Sequence, residues 1–148
     1  MEIGKMINTR FVSSQQKAIV NIRVTSNWIA HQQNLYMSKF DLSMAQFNIL
    51  RILRGAKEKL NVNTVKERMI EKSPNTTRLM DKLIEKGYID RIRCEQDRRV
   101  VYVEINIKGL NLLEKIDFDF EQLFSFSKNL SDKEAEKLSE LLDKLRGN

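Results

Sequence analysis

Arg78 and Lys82 stand one helical turn apart in the run Asn75-Thr76-Thr77-Arg78-Leu79-Met80-Asp81-Lys82, and a second pair of cations, Arg98 and Arg99, follows Asp97. Cations at i and i+4 share one face of a helix. The short polar residues Asn75, Thr76 and Thr77 fall in the first turn of that helix, where backbone N–H groups and small side chains bond phosphate oxygens or base edges, with an inward position the alternative for Thr76. This is chemistry for holding a polyanion, not for making or breaking bonds. The sequence shows no nucleophile beside a base, no paired carboxylates in an apolar setting and no phosphate-cradling glycine loop, so no catalytic residue is assigned. One cysteine (Cys94) and one histidine (His31) supply neither a disulfide framework nor metal-ligand spacing, and neither metal nor cofactor is expected.

The elements that position these cations are marked by caps and periodicity. Ser73 is a good N-cap and Pro74 suits the first helical position, where its missing N–H has no intrahelical partner. Leu79, Met80, Leu83 and Ile84 recur at helical spacing, which turns Asn75, Arg78, Asp81 and Lys82 to the opposite face, and Gly87 ends the helix. Tyr88 to Cys94 and Arg99 to Ile105 are rich in β-branched and aromatic residues, and the polar Glu95-Gln96-Asp97-Arg98 between them suits a hairpin tip. Upstream, Ser43 and Gln46 form a capping box that opens a helix carrying Phe47, Leu50 and Leu53 inward and ending near Gly55. Asn61 caps a short helix, Val62 to Ile70, joined so tightly to the next that the two must cross steeply. A recognition helix followed by a basic wing is the order that results. A planar cation at the wing tip can enter the narrow minor groove of A·T-rich DNA. Asp97 cannot favour DNA by charge; it is expected to fix the wing by pairing with an arginine, Arg91 being the candidate.

The flanking segments are helical. Phe11 to Lys39 carries Ala18, Ile22, Thr25 and Ile29 on one stripe, with Trp28 and Tyr36 nearby. Asn106 is expected to cap a long helix to about Ser127, apolar at Leu110, Leu113, Ile116, Phe120, Leu123 and Phe124. Ser131 and Glu134 form a second capping box before a last helix with Leu138, Leu141, Leu142 and Leu145. These C-terminal helices are more apolar than the outer layer of a monomer needs, which points to a partner subunit. The expected division is an N-terminal dimerisation helix (1–40), a DNA-binding unit (41–108) and C-terminal dimerisation helices (109–148).

Net charge is +6 over 148 residues, unevenly spread. Residues 1–56 hold seven Lys or Arg against two acids, residues 57–108 thirteen against nine, and residues 109–148 six against nine. A basic balance on the first two segments favours an anionic polymer as partner. No apolar run is long enough to span a membrane and no leader pattern opens the chain, so a soluble cytoplasmic protein is expected, with Cys94 an inert thiol.

The pattern N-T-T-R-L-M-D-K-L-I-E-K-G-Y-I-D-R, then D-R-R-V-V-Y-V, then N-I-K-G resembles the winged helix-turn-helix of the MarR (multiple antibiotic resistance regulator) family, and Leu42 to Leu50 resembles the helix that opens that module. The likeness is continuous from about Leu42 to Leu113. It departs at Asn106, where the family usually has Thr, and at Val65-Lys66-Glu67, where it usually has Leu-Ala and a polar residue. The resemblance implies a mainly α fold with a small β wing, in which a winged helix-turn-helix is flanked by N- and C-terminal dimerisation helices. It further implies a homodimeric, ligand-responsive repressor on a palindromic double-stranded operator, with Asn75, Thr76, Thr77, Arg78 and Lys82 at the major groove, Arg99 in the minor groove and Arg98 on the backbone. Trp28, His31, Tyr36 and Phe47 could line a cavity for a small aromatic effector, or could be plain core. The sensing cysteine of the family's oxidation-responsive branch lies near the N-terminus, where this chain has none. Two other readings stand beside this one: a winged helix used as a protein-interaction module for an acidic partner and, weakest, an enzyme.

Overall fold

The computed structural model describes residues 2–72 and 74–147. They form one compact unit that runs to Phe118 and a second that starts at Asp119. The first opens with a single-turn helix, α1 (Ile3–Met6), whose N–H groups at Gly4 and Lys5 are capped by the Glu2 carboxylate; Lys17 pairs with that carboxylate at 2.5 Å. Helix α2 (Ser14–Met37) starts three residues later than the apolar pattern suggests, because the Ser13 hydroxyl caps Gln16 N–H while the Gln16 side chain takes Val12 N–H. Of its 24 residues only Tyr36 and Met37 are buried. A short 3-10 turn, Ser38–Phe40, then leads to Asp41 in the left-handed region.

Helix α3 (Met44–Ala56) begins at the expected capping box: Ser43 N–H donates to the Gln46 side chain at 3.0 Å and Gln46 N–H to the Ser43 hydroxyl at 3.1 Å. Phe47, Ile49, Leu50 and Leu53 from α3 are fully buried and form the centre of the core with Val65, Met80, Leu83, Ile89, Val103, Leu113 and Ile116. Each such side chain contributes about 1.5–3 kcal/mol relative to exposure. Asn61 caps α4 (Val62–Arg68) through Asn63 N–H at 2.8 Å, as its sequence position implies. Val65, at the departure from the family pattern, is fully buried, so it fills an inward position.

The wing has one strand more than the sequence shows. Strand β1 (Leu60–Asn61) pairs with β3 (Val101–Ile105), which pairs on its other side with β2 (Ile89–Arg93), all antiparallel, in the order β1-β3-β2. Leu60 lies opposite Val103, and so does Arg91 on the other edge. Two residues carry too little periodicity to be recognised alone, but as a third strand they support a hairpin that is marginal by itself.

Helix α6 (Ile107–Phe118) follows β3 directly, and Arg54 on α3 grips Asp117 on α6 through two nitrogens at 2.6 and 3.3 Å. The expected single helix to Ser127 is not formed. α6 stops at Phe118, a single turn α7 (Phe120–Leu123) follows, and a 3-10 segment, Ser125–Asn129, completes the stretch. The sequence there is crowded with phenylalanine, aspartate and serine: aromatic rings lose rotamer freedom in a helix, and short polar side chains compete for the backbone. Phe120, Phe124 and Phe126 instead pack with their rings tilted to one another, at centroid distances of 5.4 and 6.5 Å. Helix α8 (Asp132–Arg146) begins at the expected Ser131–Glu134 box, with Glu134 accepting from Ser131 N–H at 2.8 Å and from its hydroxyl at 2.7 Å.

Candidate nucleic-acid interface

Helix α5 (Thr76–Glu85) presents the cations. The expected N-cap Ser73 lies outside the described residues, and Pro74 sits in the preceding turn, leaving Asn75 in the N-cap position with its carbonyl accepting Leu79 N–H at 3.0 Å. Thr76, Met80 and Leu83 are buried on one stripe at i, i+4 and i+7, while Asn75, Thr77, Arg78 and Lys82 are exposed. Thr76 is therefore buried, on the inward stripe that its spacing to Met80 and Leu83 defines, and not on the exposed face with Thr77 and Arg78.

A Schellman turn ends α5. Gly87 (φ +77°) donates its N–H to Ile84 and Tyr88 donates to Leu83, at 2.9 and 3.0 Å. The base of the wing is tied to that turn at several points. The Asn106 carboxamide donates to the Gly87 carbonyl at 2.9 Å and to the Asp90 carboxylate at 3.2 Å, while its oxygen accepts Gly109 N–H at 3.1 Å. A threonine hydroxyl, with a single O–H, could accept the Gly109 N–H but could make only one of the two donations that the carboxamide makes. Lys108 reaches the Lys86 carbonyl at 2.7 Å and lies over the Tyr88 ring at 4.9 Å, while Lys86 itself pairs with Asp41 at 3.2 Å. The Asn106 cap on Gly109 is the one that the sequence implies; the other ties were not legible beforehand, since each joins residues that only the folded turn brings together.

At the tip, Asp97, Arg98 and Arg99 are all exposed. The expected pairing of Asp97 with Arg91 is not made. Asp97 instead accepts Arg99 N–H on its carboxylate and Val100 N–H on its carbonyl, both at 3.0 Å, and Cys94 N–H closes the loop on the Val100 carbonyl at 3.2 Å. This is an Asx turn, in which aspartate organises the backbone locally. Arg91 points the other way and pairs with Asp81 on α5, joining wing strand and helix. Arg93, two residues on, shares the Arg91 face of β2 and is exposed.

The four candidate effector residues have different surroundings. Phe47 is fully buried against the core, with Arg51 over its ring at 5.6 Å, and Tyr36 is buried with Phe40 edge-on at 5.7 Å. His31 is exposed. Trp28 lines a cavity of about 270 Å³ with Ile3, Met6, Asn21, Val24 and Thr25, which takes in none of the other three. Among the described residues there is no group of three or more His, Cys, Asp or Glu that could hold a metal, and no helix is long and apolar enough to cross a membrane.

Comparison with known proteins places this geometry. The profile described as transcriptional regulator SarA/Rot matches residues 33–116, which hold α3, α4, α5 and the wing. The chain is 31% identical over 102 residues, 69% of each protein, to the HTH-type transcriptional regulator SarZ of Staphylococcus saprophyticus. Its fold is shared with a putative MarR-like transcription regulator from Bacillus cereus (TM-score 0.80, 19% identity, 90% of this chain and 96% of that one). It is shared also with a mutant of the Escherichia coli regulator MarR complexed with operator DNA (TM-score 0.78, 24% identity, 93% and 99%). The helix-turn-helix and wing, matched over more than half the chain, make this protein a member of the SarA/Rot family of transcriptional regulators, built on the MarR winged-helix fold.

Proposed function

We propose that the chain binds a palindromic double-stranded DNA operator as a homodimer, with α5 of each copy in a major groove and each wing tip in the adjoining minor groove. The observation that carries this reading is the shared exposure of Thr77, Arg78 and Lys82 on α5 and of Arg98 and Arg99 on the wing, on elements tied to each other by Asn106 and by the Asp81–Arg91 pair. Asn75 and Thr77 bond phosphates or base edges at the start of α5, Arg78 and Lys82 work along the groove, Arg99 enters the minor groove and Arg98 meets the backbone. Exposed apolar side chains support the second copy: Val12, Ile19, Trp28 and Leu35 on and before α2, and Leu138, Leu141 and Leu145 on α8. A small aromatic effector that changes the spacing of the two recognition helices lowers affinity and relieves repression.

Selection of bound sites from randomised DNA tests this reading. Inverted repeats, with retention that falls steeply with salt yet outlasts competitor DNA, are expected. Uniform weak binding to every sequence would instead favour an acidic protein as the partner of the same face.

A further inference from the structure

Asp81 is an unexpected residue for a helix that faces a polyanion. It lies one turn beyond Thr77 and Arg78 and next to Lys82, so its carboxylate shares the neighbourhood of the residues that meet DNA. Left alone, a carboxylate there repels phosphates of any sequence. It is occupied by the Arg91 guanidinium, which comes from the wing strand, and both side chains keep close to half their surface open to solvent (45% and 42%). Arg91 is thus a cation within a side chain's length of the exposed face of α5, held by a partner on that helix.

Resting on the DNA reading above, we propose that Asp81 is a specificity-determining residue, which withholds the Arg91 guanidinium from the phosphates of arbitrary DNA and spends it on fixing the wing against the recognition helix. Non-specific binding consists almost wholly of phosphate contacts, each of which releases counterions, so the number of free cations on the DNA face sets both its strength and its salt dependence. Specific binding also needs helix and wing held in one geometry, because two grooves are read together. Tying Arg91 to Asp81 lowers the first quantity and serves the second.

The test compares Asp81→Asn with Glu85→Gln, a neutralisation of equal charge at the end of the same helix. Affinity of the full-length protein for its selected operator and for a random duplex is measured by fluorescence anisotropy from low to high salt. Asp81→Asn frees Arg91, so random-duplex affinity is expected to rise roughly three- to tenfold at low salt, and the slope of log K against log salt to steepen by about 0.9, the value of one added phosphate contact. The operator-to-random ratio falls by a similar factor. Glu85→Gln leaves slope and ratio near wild type. Arg91→Gln, which exposes the carboxylate, weakens operator and random duplex alike. Equal slopes for Asp81→Asn and Glu85→Gln would overturn the proposal while leaving DNA binding intact, since net charge alone would then explain the change. A wild-type protein with no preference for any duplex would overturn the DNA reading and this one with it.

Discussion

The carbonyl oxygen of Tyr88 stands where a side chain on residue 109 would have to go: a Cβ built on Gly109 meets it at 2.4 Å and meets the Ile105 side chain at 2.7 Å. Gly109 is a helical residue at an ordinary φ, so conformational freedom is not what it provides. It lets the start of α6 press against the turn that links recognition helix and wing. Gly109→Ala is expected to lower unfolding free energy by about 1–3 kcal/mol through overpacking, read as a shift of the urea midpoint. An unchanged midpoint would mean that the junction yields easily.

The wing tip is expected to act through groove shape. Arg99→Ala should weaken binding most on operators with A·T-rich flanks, because a narrow minor groove concentrates negative potential. Affinity at fixed salt for operators with A·T and G·C flanks decides it. A variant that binds both as tightly as wild type would remove the wing from the interface.

Arg78 is expected to act through base edges. Arg78→Ala should cost about 1–3 kcal/mol per site and relax preference at one position of each half-site. If repeat selection with the variant returns the wild-type consensus at lower affinity, Arg78 touches phosphate only.

The assembly should run at about twice 17.4 kDa in light scattering at micromolar concentration. Leu138 is half-exposed on α8 with Leu142 one turn on. Replacing both by Asp should shift the protein to monomer or unfold it, since two carboxylates would be buried without partners. A wild-type monomer would defeat the homodimer.

The start of α8 is expected to depend on pH. Hydrogen bonds from the Ser131 N–H and then its hydroxyl hold the Glu134 carboxyl below the usual glutamate range. A carboxylate depressed in the folded state stabilises it above the unfolded pKa, and that contribution is lost as pH falls through the folded value. Helicity measured by circular dichroism should therefore fall in acid more in wild type than in Glu134→Gln. Parallel acid profiles would show that the box contributes nothing.

Much of the fold was legible because local rules and packing agree along α3, α4 and the hairpin: Ser43 with Gln46, Asn61, Gly87 and the β-branched strands each mark an end or a period that packing keeps. Where several short-range preferences conflicted, the reading failed. Aromatic and short polar residues after Phe118 break a helix that hydrophobic spacing alone would continue, and Leu60–Asn61 becomes a strand only because β3 offers it an edge. At the interface, exposure of Arg78, Lys82, Arg98 and Arg99 followed from periodicity and turn chemistry. Partner choice did not: Asp97 turned to its own backbone and Arg91 to Asp81, because neither the curl of the wing tip nor the distance from strand to helix is written in residue spacing.

The junction at Gly87 carries a mechanical corollary. Asn106 and Lys108 fasten the base of the wing to the turn after the recognition helix, and Arg91 ties its strand to that helix through Asp81, so on the DNA reading proposed above the two grooves would be gripped by one braced jaw. On that same proposed reading, an effector would have one coordinate left to change, the phase between two jaws along the duplex. One base pair inserted between half-sites turns the second half-site by about a tenth of a helical revolution. Operator spacing is then read as strictly as operator sequence, and a spacer mutation should silence a promoter site whose every contacted base is intact.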